Sequence, residues 1–254
     1  APGTTSGTPA SARIGISRDF LGQDTDVDWV MEASLEAMRK QGATIVDVRL
    51  PKWLLDAKGE YYNAIRYPEF VVQIADYLKT LGPKYPKSIT ELIEQARRVI
   101  AARRDGGSRN PRGWSLMLRE STSGTITDYQ YTSVRDHALP LVRAILDGIF
   151  KANNLDAIAY PTSSRRPQRI DAPPDPPGGA AANGSNLANL SGFPDLIVPA
   201  GFSTEDLPIG ISFLGPAFSE SRLLAIGFAF EQATKARRLP VHTPLRIGDA
   251  IAIQ

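Results

Sequence analysis

The chain has 254 residues, 42% hydrophobic and 22% charged, with a formal net charge of +2; it carries enough apolar material for one large core and none of the bias of a disordered chain. It has no cysteine and only two histidines, His137 and His242, which excludes disulfides, thiolate-bound zinc, a thiol nucleophile and iron–sulfur chemistry and argues against a His-rich metal site, so no cofactor is expected. No apolar run approaches the roughly eighteen residues of a membrane span, and no membrane partner is expected.

Taken in order, Ala1 to Ala12 is rich in Gly, Pro, Ser and Thr and reads as a linker or cut end (residues 1–12) ahead of a folded region, residues 13–254. Arg13 to Ile16 is a short strand. An amphipathic helix follows, with Val27, Met31, Ser34/Leu35 and Met38 at helical spacing, Asp24 or Asp26 as cap and Gly42 as its stop. Ala43 to Val48 is a second strand, closed by Leu50 and Pro51, and a strand–helix–strand unit of this length predicts a parallel pair in an α/β sheet. From Lys52 to Phe150 the pattern is helical. Phe70, Ile74, Tyr77/Leu78 and Leu81 share a face up to Gly82-Pro83, and Ser88-Ile-Thr-Glu91 is a capping box opening a helix striped by Ile89, Leu92/Ile93, Ala96 and Val99/Ile100. Arg109 to Gly124 reads as irregular. Tyr131, Val134, Ala138, Leu141, Ile145 and Ile149 mark a long helix with Pro140 as its expected kink. Asp156 to Tyr160 is a strand ending at Pro161, and the proline-rich Arg165 to Gly179 is a long loop. Leu196 to Val198 is a buried strand stopped by Pro199, Ile209 to Leu214 is another, and Ser219 caps a final helix through Leu223, Gly227, Phe230 and Ala233.

Several stretches invite a functional reading and have a simpler one. Ser121-Thr-Ser-Gly124 is followed by the polar Thr125 to Asp128 and not by the strand-to-helix turn that an activated nucleophile with its base and oxyanion donors usually occupies, so a capping loop is expected. Asp136 and His137 are helix neighbours about 100° apart and do not face each other. Lys84 to Arg119 carries nine Lys/Arg against three Asp/Glu, but without interleaved aromatics this is a solvated face, and no nucleic-acid partner is expected. There is no Ser-x-x-Lys, Gly-x-Ser-x-Gly or Gly-x4-Gly-Lys, so the self-contained hydrolase and nucleotide motifs are missing.

Four motifs in fixed order carry a resemblance. They are Arg13-Ile-Gly-Ile-Ser-Arg-Asp19-Phe20 with Gly42-Ala-Thr-Ile-Val-Asp-Val-Arg-Leu-Pro51; Leu155-Asp-Ala-Ile-Ala-Tyr-Pro-Thr162; Asn186-Leu-Ala-Asn-Leu-Ser-Gly-Phe-Pro-Asp-Leu-Ile-Val-Pro-Ala-Gly201; and Leu207-Pro-Ile-Gly-Ile-Ser-Phe-Leu-Gly215 followed by Leu223, Leu224 and Glu231. Together they resemble the C-terminal portion of the amidase signature family. The resemblance implies an α/β/α sandwich around a mixed β-sheet and hydrolysis of a carboxamide C–N bond through an acyl-enzyme on a Ser, cis-Ser, Lys triad. The triad lies in the half that precedes these motifs, and no Ser-Ser-Gly-Gly-Ser-type segment is present. This chain alone is therefore expected to be inactive and to partner an N-terminal half carrying the Ser/Lys triad, the small-molecule amide being the substrate of the whole. The competing reading is a non-catalytic binding or structural domain derived from the same fold. An uncovered apolar surface, or a homo-oligomer that hides it, is expected on the first reading, whereas a clean monomer with a wholly polar surface would argue for the independent domain.

Ligands of open α/β sheets sit beyond the carboxyl ends of strands. The expected pocket wall is Tyr160, Pro161, Thr162 and Ser163 on one turn, with Asn189, Gly192, Phe193 and Pro194 on another within about 10 Å, a step or two between strands.

Overall fold

A computed structural model describes residues 12–102, 111–168, 184 and 186–239. Five strands form one mixed sheet in the order β2-β1-β3-β5-β4: β1 (Arg13–Ser17), β2 (Thr44–Val48), β3 (Ala157–Pro161), β4 (Asp195–Phe202) and β5 (Pro208–Leu214). β2 and β3 flank β1 in parallel, as the strand–helix–strand spacing predicts, whereas β5 runs antiparallel to both β3 and β4.

Helices cover both faces. On one, α1 (Thr25–Lys40) and α8 (Glu220–Thr234) pack Val27, Val30, Met31, Leu35, Leu223, Ile226 and Phe230 against Ile14, Ile16, Ile211 and Phe213. On the other, α2 (Lys52–Lys79), α6 (Leu139–Asn153) and α7 (Asn186–Ser191) press Leu54, Val142, Leu146, Phe150, Leu187 and Leu190 onto Ile158, Tyr160 and Leu214. Each buried large aliphatic side chain contributes about 1.5–3 kcal/mol, so these two apolar layers dominate the stability of the sandwich. The remaining helices, α3 (Ile89–Ala101), α4 (Pro111–Glu120) and the short α5 (Tyr129–Ser133), lie between α2 and α6 in chain order.

The motifs behind the family resemblance prove to be structural staples. Asp19 Oδ2 accepts from the Leu50 amide and the Ser17 hydroxyl, both at 3.1 Å, which ties the end of β1 to the end of β2. Phe20 beside it is buried against the Tyr160 ring at 5.4 Å. Asp156 Oδ2 accepts from the Arg13 amide at 2.7 Å, and its other oxygen accepts from Arg222 Nε of α8 at 2.9 Å.

The structure departs from the sequence expectations in five places. Residues 111–120, read as irregular, form α4; Pro111 opens it, where a missing N–H costs nothing. β4 does not stop at Pro199 but runs through it with a register shift between Pro199 and Gly201; β4 is an edge strand, where a proline leaves no ladder donor unmade, and it is half-buried rather than buried. Pro140 is preceded by a π-helical turn, Val134–Ala138, so the chain enters the proline on a widened turn rather than on a simple kink. Ser219 does not cap α8 with its side chain: its hydroxyl donates to the Pro216 carbonyl at 2.7 Å. In the capping box, the Glu91 amide bonds Ser88 Oγ as expected, but the Glu91 carboxylate reaches the amide of Lys87 instead of Ser88. The Arg165–Gly179 loop reading falls outside the described residues from 169 onward, as do residues 1–11.

Candidate functional site

Side chains alternate along a strand, so the face turned away from α1 and α8 is read off the register. Across β3, β5 and β4 it presents Tyr160, Ser212 and Ile197 in one row, and Thr162 beside Gly210 in the next. The result is a polar strip on an otherwise apolar sheet. The Tyr160 hydroxyl donates to Asp195 Oδ2 at 2.5 Å, and Thr162 Oγ1 and Ser212 Oγ lie 3.0 Å apart. Gly210 lets Thr162 and Ile197 close over the backbone, since a Cβ there would stand 3.0 Å from Thr162 Oγ1 and 3.4 Å from Ile197 Cγ2. Ile197 is 58% exposed at the β4 edge, whereas Tyr160 and Ser212 are buried and Thr162 is half-buried.

The electrostatics follow from burial. Asp195 Oδ1 is buried and has no hydrogen-bond partner among the described residues. Burial pushes the Asp195 carboxyl above the usual carboxylate range, opposed by the bond from Tyr160. The Tyr160 phenol is held well above its ordinary value, by burial first and by the neighbouring Asp195 second, and remains a neutral donor. Neither Thr162 nor Ser212 has a lysine or histidine partner among the described residues; the strip presents hydroxyls and one carboxyl that can bind and orient a polar group.

Of the residues expected to form a pocket wall, Tyr160 and Thr162 belong to this strip, and Pro161 sits between them as the buried end of β3. Ser163 is exposed and donates to the Arg165 carbonyl at 2.7 Å. The second turn serves the fold. Gly192, at φ +70°, closes α7 through its amide to the Ala188 carbonyl, Phe193 is buried against Phe150, and the Pro194 carbonyl accepts from the Gly215 amide. Asn189 is on the exposed side of α7.

The expected closeness is corrected by the register for the Pro194 end of the second turn. Thr162 bonds Gly210 whereas Pro194 bonds Gly215, so they flank opposite ends of β5, about 17 Å apart along the strand at roughly 3.4 Å per residue. The antiparallel direction of β5 and β4 sends the second turn to the far end. Sequence reading missed Asp195 and Ser212, and the alternation of Tyr160 with Thr162 opposite Ser212 with Gly210 is the period-2 signal that could have found Ser212.

The other candidates are placed as turn chemistry predicts. Ser121 and Ser123 donate to the Leu118 and Glu120 carbonyls at the end of α4, each at 2.7 Å, and His137 is exposed in the π-helical turn. Among the described residues no helix is long and apolar enough to cross a membrane.

Comparison with known proteins agrees with the architecture. The Amidase family profile matches residues 3–224. A glutamyl-tRNA(Gln) amidotransferase subunit from Deinococcus radiodurans is 31% identical over 230 residues, which cover 86% of this chain and 45% of that protein. Its counterpart from Ralstonia pickettii is 28% identical over 89% of this chain and 45% of its own length. Among solved structures, peptide amidase PAM bound to the competitive inhibitor chymostatin superposes with a TM-score of 0.74 at 27% identity, over 89% of this chain and 44% of that one. The native peptide amidase of Stenotrophomonas maltophilia gives 0.69, also at 27% identity, over the same shares. The chain thus spans a little under half the length of the relatives it matches. With the family profile matched over most of its length and a mixed sheet that superposes on solved amidases, this chain belongs to the amidase family.

Proposed function

We propose that this chain is the C-terminal portion of an amidase: it supplies half of the sandwich and one wall of the pocket in which a carboxamide C–N bond is hydrolysed through an acyl-enzyme. The observation that carries this reading is the strip of Tyr160, Thr162, Ser212 and Asp195, a linked set of hydroxyls and a carboxyl built on the sheet beside the exposed Ile197. Hydroxyls and a carboxyl on a rigid sheet suit a small amide, whose carbonyl accepts and whose nitrogen donates. The Ser, cis-Ser, Lys triad belongs to a partner segment, which abstracts the nucleophile's proton, forms the acyl-enzyme and releases the amine; the wall's task is to hold the substrate still. The names of the relatives, a peptide amidase and part of an amidotransferase, both denote amide chemistry and favour this substrate class.

The test has two arms. The chain alone should turn over no simple carboxamide and take no label from a serine-directed fluorophosphonate. Joined to a polypeptide carrying the triad segment, it should gain amide hydrolysis, with a raised KM for Thr162→Val and Ser212→Ala. Stoichiometric labelling of the isolated chain at Ser121 or Ser123, or unchanged KM in both variants, would overturn the assignment.

A further inference from the structure

A second concavity lies on the opposite face of the sheet, between α1 and the end of β4. It encloses about 350 Å³ and is walled by Trp29 and Val30 of α1, by Gly201 and Phe202 of β4, and by Lys235 and Arg238 after α8. Its chemistry is unlike that of the polar strip. Trp29 is 66% exposed, so its ring is available at the groove wall. Facing it, the Arg238 guanidinium lies over the Phe202 ring with its carbon 3.7 Å from the ring centre.

An arginine held over an aromatic ring keeps its N–H donors available to a carboxylate or phosphate, which its planar fork matches. One edge meets Asp206 at 3.3 Å, but these side chains are 58% and 82% exposed, and a pair so exposed to water yields readily to a better acceptor. Lys235 stands at the left-handed residue that ends α8, with no ion-pair partner among the described residues. The carboxylates of α1 around Trp29 are engaged elsewhere: Asp26 with Thr204 and Arg166, Asp28 with the Gly22 amide, and Glu32 with Arg18. The groove's described lining therefore combines a flat apolar wall with two cations, and the acidic group against it is the exposed Asp206 beside Arg238.

We propose that this groove is a binding site for a planar aromatic anion, its ring laid on Trp29 and its carboxylate or phosphate held by Arg238 and Lys235. The fold prepares the distance between the walls. A Cβ at Gly201 would stand 3.1 Å from Val30 Cγ1, a tight contact, so the glycine at the register shift eases the close approach of β4 to α1 that presents Phe202 beside it. The site is separated by the sheet from the strip described above and does not depend on amide chemistry.

The test follows the indole N–H resonance of Trp29 in the ¹⁵N-labelled chain, assigned by its loss in Trp29→Phe against Trp53 and Trp114. The chain is titrated with indole-3-carboxylate, with indole as the neutral counterpart and adenosine monophosphate as the phosphate arm. The carboxylate or the phosphate should shift the Trp29 resonance saturably, and indole should bind at least about tenfold more weakly. The double variant Arg238→Gln, Lys235→Gln, confined to exposed side chains, should weaken the anion by about tenfold or more while leaving indole unchanged. Equal affinity for indole and indole-3-carboxylate, an unaltered anion affinity in the double variant, or no Trp29 shift with either anion would overturn the proposal.

Discussion

Replacing Tyr160 by Phe removes one oxygen from a side chain that is fully buried, and leaves Asp195 with neither of its carboxylate oxygens bonded. A hydrogen bond to a charged group contributes about 1.5–3 kcal/mol and one between neutral groups about 1 kcal/mol, so the loss depends on whether Asp195 is ionised. Burial already raises the affinity of Asp195 for its proton in the folded state, and the Tyr160 bond opposes that rise. A carboxyl whose folded-state affinity exceeds its unfolded one stabilises the fold below the ordinary carboxylate range, and this contribution is lost as pH rises through the folded value. Tyr160→Phe lifts the folded value further, so its penalty should be largest above both folded values and should shrink towards that of a neutral hydrogen bond in acid. Denaturant unfolding followed by tryptophan fluorescence should give about 2 kcal/mol of destabilisation near pH 8, falling to about 1 kcal/mol near pH 4. The corresponding drop in Tm at the higher pH is about 4–8 °C for a chain of this size. A penalty that is flat with pH, or that grows on acidification, would show that Asp195 is not the group Tyr160 serves.

Alanine substitutions at two glycines should have opposite signs. Gly15→Ala in β1 puts a Cβ 2.8 Å from Leu155 Cδ1 and 3.1 Å from Val48 Cγ1, both in the core, and should cost about 1–3 kcal/mol in urea unfolding; Gly59→Ala in α2 meets no atom within 4 Å and should stabilise by about 0.5–1 kcal/mol. Because β4 is an edge strand with Ile197 exposed, the chain should self-associate in sedimentation runs at micromolar concentration, and Ile197→Lys should return it to monomer; a wild-type chain that is already monomeric would remove that surface from consideration.

What was legible in the sequence was what depends on local periodicity. The β1–α1–β2 unit follows from Val27, Met31, Leu35 and Met38 between two apolar runs, and Asp24 caps α1 through the Asp26 amide as read. The Lys52–Lys79 helix was legible only in its second half, because Pro68 inside it and the polar Lys58 on its buried side break the expected stripe. Strand direction was not legible. Nothing local in Leu196 to Leu214 says that β5 turns back beside β3, and that single fact moved Pro194 to the far end of the sheet from Thr162. The same tertiary fact makes β4 an edge, which is why Pro199 failed to stop it. Asp195 was overlooked for a related reason: its partner Tyr160 is thirty-five positions away, and only the sheet brings them together.

The twofold grip of Asp156 has a consequence for how this chain acquires its structure. Its carboxylate holds the amide of Arg13, 143 positions upstream, and the guanidinium of Arg222, 66 positions downstream. The central strand pair β1–β3 thus closes a loop of more than half the chain before it is rewarded with contacts, and the entropy of that closure must be met in the transition state. The β4–β5 hairpin and α8 need no such closure. They can assemble early, with Phe213 already packed on Phe230 of α8, and wait until β1 and α1 complete the layer. Folding should accordingly be slow for a chain of this size, with the β4–β5–α8 region protected from hydrogen exchange first and β1 last.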